Sequence, residues 1–178
     1  MSNTSLQDRV RHLDSAVHHG GLRPLSAITM IVMHTTDGDS AMSSINYLNT
    51  TSDKTASYHY VIDHDGTIYR MTSPNLVAYH AGDSAWPDPV AGTGDRPNGG
   101  RSVNARSVGI AWANKGEALT DAQIESALWL CATYADTVTT DLVLGHREVS
   151  PLRKIDPPPK VQDMNEWRAL LANYLANA

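Results

Sequence analysis

A short apolar run, Ile28-Thr29-Met30-Ile31-Val32-Met33, leads straight into His34. A run of this length with β-branched residues reads as a buried strand. A strand that ends on a histidine delivers the imidazole to a fixed place. A second histidine stands far along the chain, in Leu144-Gly145-His146-Arg147-Glu148, and a carboxylate follows in Lys154-Ile155-Asp156-Pro157. Two imidazoles and one carboxylate suit Zn²⁺, with the fourth position left to water. Convergence of these three side chains would make a zinc hydrolase site.

Several elements must bring them together. Leu6, Val10, Leu13 and Val17 recur at helical spacing and predict an amphipathic helix over about residues 5 to 18, stopped by Gly20-Gly21. The strand ending at His34 follows. Asp39 or Ser40 caps a helix carrying Met42, Ile45, Tyr47 and Leu48. Residues 57 to 63 read as a strand with Tyr58, Tyr60 and Ile62 on one face and His59 on the other. The turn His64-Asp65-Gly66 returns it through Thr67 to Met71 as a hairpin. Gly82 to Arg106 is rich in Gly, Pro, Asp and Asn and reads as a long loop. Ser107 to Trp112 predicts another buried strand. Thr120 or Asp121 opens a helix that places Cys131 on its apolar face, between Leu128 and Tyr134. A short strand, Leu142-Val143-Leu144, runs up to His146. Pro157-Pro158-Pro159 blocks a helix, and a last helix spans roughly Met164 to Leu175. The expected architecture is a single-domain α/β fold, a central mixed β-sheet flanked by α-helices, with the metal site at one sheet edge.

The 178 residues suffice for one sizeable core. A net charge of −5 without a basic block argues against a nucleic-acid binder. The single cysteine excludes an intrachain disulfide framework, and no apolar run reaches membrane-spanning length. Residues 1 to 8 lack a basic stretch followed by an apolar one, so they do not read as a conventional signal peptide.

Seven segments, in order, give the chain a specific likeness. They are Ile31-Val32-Met33-His34-Thr35-Thr36, Ser57-Tyr58-His59-Tyr60-Val61-Ile62-Asp63, Asp65-Gly66-Thr67-Ile68-Tyr69, Tyr79-His80-Ala81-Gly82, Ser107-Val108-Gly109-Ile110, Gly145-His146-Arg147 and Lys154-Ile155-Asp156-Pro157. Together they resemble the type 2, zinc-dependent N-acetylmuramoyl-L-alanine amidases, the group that includes phage lysins and peptidoglycan-recognition proteins. The likeness spans roughly residues 28 to 175. It implies that His34, His146 and Asp156 hold Zn²⁺, that Tyr58 and Lys154 assist catalysis, and that His80 serves the substrate cleft. Some members have Cys at the position of Asp156. One departure stands out: where many relatives carry an acid after the Gly-Ile of the strand at 107 to 112, this chain has Ala111. That leaves the proton acceptor open, with Tyr58 in its place.

Beside the resemblance, each residue has a plainer reading. Tyr58 is a half-buried strand residue, Lys154 a surface cation, and His59 either structural or a support behind the site. His64 is a solvated turn residue, and His12 is solvated too; the pair His18-His19 could bind a metal adventitiously, but solvation is the preferred reading. Trp86, in the long loop, either stacks on a sugar or peptide or anchors the loop on the core. Arg101 and Arg106 are candidates to pair with substrate carboxylates.

The resulting expectation is one amidase domain over residues 1–178, with an N-terminal helix and lead-in over 1–27 and a catalytic core over 28–178. It would hydrolyse the amide between N-acetylmuramic acid and L-alanine in peptidoglycan, as a monomer without membrane insertion. A phage endolysin, made in the cytoplasm and released at lysis, is the preferred role. A cytoplasmic amidase recycling wall fragments, or a non-catalytic peptidoglycan sensor, are the alternatives.

Overall fold

The computed structural model describes residues 5–51, 55–82, 84, 86 and 103–178. The strands, in chain order, are β1 (Val10–His12), β2 (His19–Leu22), β3 (Met30–Thr35), β4 (Tyr60–Ile62), β5 (Ile68–Arg70), β6 (Leu76–Ala78), β7 (Ser107–Trp112) and β8 (Val143–Gly145). The helices are α1 (Ala41–Thr50), α2 (Val103–Arg106), α3 (Asp121–Ala132), α4 (His146–Val149) and α5 (Met164–Asn177).

Six strands form one mixed sheet in the order β1-β5-β4-β7-β3-β8, and β2 pairs with β6 in a separate antiparallel ribbon. Among the described residues of the larger sheet, only the β4–β5 hairpin is antiparallel. Helices cover both faces, as parallel strands buried on two sides require. This is the expected α/β architecture.

Register decides which side chains share a face. Ile31, Met33, Ile62, Ile68, Val108, Ile110, Trp112 and Val143 point one way and pack against α3 and α5. Trp112 and Trp167 meet there edge to face, with centroids 5.2 Å apart. Each Ile or Met fully removed from water in this layer contributes about 1.5–3 kcal/mol. The opposite face carries Val32 and Val61, packed against two smaller clusters. His34 belongs to that second face, two residues beyond Val32 along β3.

The caps are legible. The Ser40 hydroxyl accepts the Ser43 amide at 3.1 Å and opens α1. Thr120 and Gln123 form a reciprocal capping box at the start of α3, at 3.1 and 3.2 Å. Asp163 caps α5 through the amides of Asn165 and Glu166.

Three local expectations need correction. The amphipathic helix over 5 to 18 is not formed: Leu6–Arg9 is one 3-10 turn, followed by β1 and then β2. Its supposed apolar stripe does not meet the core as a unit: Val10 packs against it, while Leu13 and Val17 are 37% and 63% exposed. The backbone instead supplies the parallel partner that the outer edge of β5 needs, a tertiary override of helical spacing. Gly20-Gly21 accordingly lies inside β2 rather than ending a helix.

Tyr58 does not share a face with Tyr60 and Ile62. It packs with Val61 and α1, whereas Tyr60 and Ile62 join the layer under α3 and α5. The His59 carbonyl accepts two consecutive amides, Met71 at 2.9 Å and Thr72 at 3.3 Å, so the alternation slips there. Finally, the last four residues of the expected 82–106 loop form α2. Among the described residues no helix is long and apolar enough to cross a membrane.

Candidate active site

His34 is the penultimate residue of β3. Parallel pairing sets Met33 against Gly145, so the next residue of each strand, His34 and His146, emerges side by side at the carboxyl ends. Their ring centroids are 4.5 Å apart. The Arg147 amide donates to the Asp156 carbonyl at 2.9 Å, which ties the later loop to the start of α4. β8 is the outermost strand of the sheet, and the cluster lies at its end.

Asp156 Oδ2 is 3.1 Å from His34 Nδ1 and 3.3 Å from His146 Nδ1. One ligand atom from each of the three residues lies within 4.8 Å of the others. His34 is fully buried and His146 nearly so, while the Asp156 side chain is 19% exposed and opens toward a cleft. Burial, then the His146 ring, lowers the pKa of His34 to about 4, so its ring is neutral at ordinary pH. Burial alone would raise the Asp156 carboxyl. The two histidines outweigh it and hold that group far below the usual carboxylate range.

The donor set can be tested against a metal ion. His146 Nε2 stands 3.1 Å from the Ala81 carbonyl, which only accepts, so this nitrogen carries the hydrogen. In the neutral ring Nδ1 is then bare, and it faces a carboxylate oxygen. Two acceptors this close without a proton between them favour a cation at their centre. Neutral imidazole nitrogens with a carboxylate fit Zn²⁺, and a backbone carbonyl behind a ligating histidine is the usual outer support.

A cleft of about 410 Å³ opens over the cluster. Tyr58, His80, Lys154 and Asp156 line it together with Asp37 and Arg153. Tyr58 is half-buried, its ring centroid 5.0 Å from that of His34. Burial, then the charges of Asp156 and Asp37, pushes its phenol upward, so it keeps its hydrogen and acts as a donor. Lys154 is half-buried on the same wall, its amide bonded to the Ser150 carbonyl.

His80 is buried to 6% exposure, with Nδ1 3.1 Å from His34 Nε2 and Nε2 3.0 Å from the Ser107 hydroxyl. Its own amide and that of Ala81 donate to Asn104 Oδ1. Trp86 packs, half-buried, against the cluster of Met30, Val32, Ala81, Val103, Leu144 and Val149, and it is not among the cleft-lining residues. His59 is fully buried, and its Nδ1 accepts the Gly109 amide. Arg106 closes α2, while Arg101 lies outside the described residues. Ala111 is fully buried opposite His34 in the β3–β7 register, so the departure noted at this position places a methyl group beside the cluster.

Sequence reasoning missed Asp37, an exposed acid on the cleft wall with φ of 56°. The Asp37-Gly38 pair was a turn signal that could have revealed it. It also missed Ser107 and Asn104, whose connections to His80 depend on tertiary register.

The family described as N-acetylmuramoyl-L-alanine amidase matches residues 24–159. No curated protein sequence matches the chain. Among solved structures, a selenomethionine derivative of AmpD superposes with a TM-score of 0.71 at 24% identity, over 91% of this chain and 94% of that one. A mutant endolysin from Bacillus subtilis gives 0.64 at 22% identity, covering 91% and 97%. The amidase AmiD from E. coli, in complex with an anhydro-muramyl peptide substrate, gives 0.64 at 25% identity, covering 82% and 58%.

Proposed function

The chain belongs to the N-acetylmuramoyl-L-alanine amidase family and hydrolyses the amide between N-acetylmuramic acid and L-alanine in peptidoglycan; we propose that it does so with a zinc ion held by His34, His146 and Asp156. The observation that supports this reading is the convergence of those three donors at the floor of an open cleft. Bound there, zinc would supply Lewis acidity toward water and toward the scissile carbonyl.

The protein's own groups do the rest. The two imidazoles and the carboxylate hold a fixed geometry because each is tied to a strand end or to backbone. Lys154 and Tyr58 sit on the cleft wall as donors to the oxygen that gains negative charge in the transition state. Tyr58, protonated, suits donation and not proton abstraction. With Ala111 beside the cluster, Asp37 is the cleft-wall carboxylate available to accept a proton through water. His80 has both ring nitrogens engaged within the protein, and we assign it to support of His34 in place of substrate contact. Trp86 is assigned to packing, the plainer of its two readings.

The role we propose is that of a lysin acting on the intact wall after release from the cytoplasm. Digestion of intact sacculi, followed by mass spectrometry, tests it. Stem peptides with a free L-alanine amino terminus are the expected products. New reducing sugar ends would contradict amide cleavage. Turnover of soluble anhydro-muropeptides with intact sacculi left untouched would assign the enzyme to fragment recycling.

A further inference from the structure

The Ser107 hydroxyl has a fixed direction. It donates to the Val103 carbonyl one helical turn earlier, at 2.5 Å. Its hydrogen is thereby used, and toward His80 Nε2, at 3.0 Å, it can only accept. His80 Nε2 therefore carries the ring hydrogen. In the neutral ring, a hydrogen on Nε2 leaves Nδ1 bare. That bare nitrogen lies 3.1 Å from His34 Nε2, which must donate to it. In the tautomer that donates from Nε2, the Nδ1 of His34 is bare, and it faces Asp156 Oδ2 at 3.1 Å. From these observations we propose that Ser107 and His80 form a buried relay that sets the His34 tautomer, aiming the Nδ1 lone pair of His34 at the metal position.

The relay has a seat built for it. A Cβ on Gly109 would stand 2.4 Å from His80 Cγ and 2.9 Å from its Cβ, so only glycine leaves room for the ring this close to β7. Asn104 Oδ1 holds the backbone under the ring through two amides. Ser107 opens β7 and Val103 opens α2, so the orientation of a β3 imidazole is set by the α2–β7 junction. His146 takes its orientation from a different source, the Ala81 carbonyl. Ala81 follows His80 directly, so one short segment, 80–81, supports both histidines. His80 is in this reading a positioning residue.

The inference rests on zinc being the ion held at this site, and the test separates the two. Zinc affinity is measured by competition with a chromophoric chelator for the wild-type protein and for His80→Asn, His80→Gln, His80→Leu and Ser107→Ala. Circular dichroism checks each fold. An asparagine amide oxygen takes the place of Nδ1 and can accept from His34, whereas glutamine reaches toward Ser107. We expect His80→Asn to stay within about threefold of wild type. His80→Gln and His80→Leu should bind zinc roughly 10–100-fold more weakly, as loss of outer support to a ligand does, and Ser107→Ala should fall between. Long-range ¹H–¹⁵N spectra of the zinc-loaded protein should show His80 neutral with hydrogen on Nε2, and a mixture of tautomers in Ser107→Ala. Failure of the wild type to bind zinc overturns the metal assignment and the relay with it. If the wild type binds zinc and folded His80→Leu and Ser107→Ala bind it equally tightly, the metal site stands and the relay does not. Hydrogen on His80 Nδ1 in the wild type also overturns the relay.

Discussion

Tyr58 and His34 meet at a tilt, ring centroids 5.0 Å apart and planes 53° from parallel. Tyr58 therefore meets the ligand cluster through its ring, and it lines the cleft beside that cluster. Tyr58→Phe keeps the ring and removes only the donor. Loss of one preorganised oxyanion donor costs roughly 10²–10³ in turnover. We expect kcat on a muropeptide to drop by about that factor, with zinc content and KM near wild type. Wild-type turnover in this variant would make the tyrosine structural.

Lys154 lies beside Asp156 yet is assigned a donor role distinct from metal binding. Lys154→Ala should keep a full zinc complement by elemental analysis and bind sacculi normally in a pull-down. Its turnover should fall by roughly 10²-fold. Co-loss of zinc would mean that the ammonium helps build the metal site.

Removal of metal should act on stability as well as on activity. Ligands that bind only the folded state stabilise it by mass action, and His34 stands 122 residues before Asp156 in the chain, so the unfolded chain does not hold the three donors together. Chelation should abolish hydrolysis and lower Tm, and added Zn²⁺ should restore both. His146→Ala should lose the zinc-dependent rise in Tm, because two protein ligands hold zinc poorly. Asp156→Cys should retain it, a thiolate being an equally good ligand. A Tm indifferent to zinc in the wild type would refute the assignment.

His59 gives a pH dependence of folding separate from the metal site. Burial, then the adjacent Arg23 charge, lowers its pKa to about 3 from the model-compound value of 6.5. The folded state favours the neutral ring, so the unfolded state binds more protons between those two values. The stabilisation is complete above about pH 6.5 and is lost as pH falls toward 3, with a slope of at most about 1.4 kcal/mol per pH unit. Urea denaturation of wild type and His59→Gln should converge as pH drops through this window. Parallel curves would show that His59 protonates freely in the folded protein.

Cys131 belongs to the layer between the sheet and α3, 3% exposed, its thiol pushed up to about 12 by burial. Cys131→Ala should cost on the order of 1 kcal/mol and leave both zinc content and specific activity unchanged. A fall in metal content would show that this side chain contributes to the site.

Much of this was legible because the site sits where regular elements end. His34 closes an apolar run and His146 follows a short strand, and such ends are where α/β sheets present their chemistry. The β4–β5 hairpin and the caps at Ser40 and Thr120 were equally readable from local residue chemistry. What escaped was whatever depends on a neighbour distant in sequence. Residues 5 to 18 have a helical stripe, yet the open edge of β5 recruits Val10–His12 as a strand. The slip at His59 moves Tyr58 to the metal-site face, and strict alternation cannot show a carbonyl that accepts two amides. Ser107 and His80 are ordinary residues until the register of β7 sets one hydroxyl beside one imidazole.

The chain has one sulfhydryl, and it lies behind the sheet on the face away from the cleft. The cluster of two imidazoles and a carboxylate contains no thiolate. Oxidants that turn Cys ligands into sulfenic acid or disulfide therefore find nothing to attack among these donors, and the sealed, protonated Cys131 is a poor nucleophile. An amidase built this way should work at full rate in the oxidising surroundings of a bacterial envelope, where a relative with cysteine in place of Asp156 would depend on its metal to shield the sulfur.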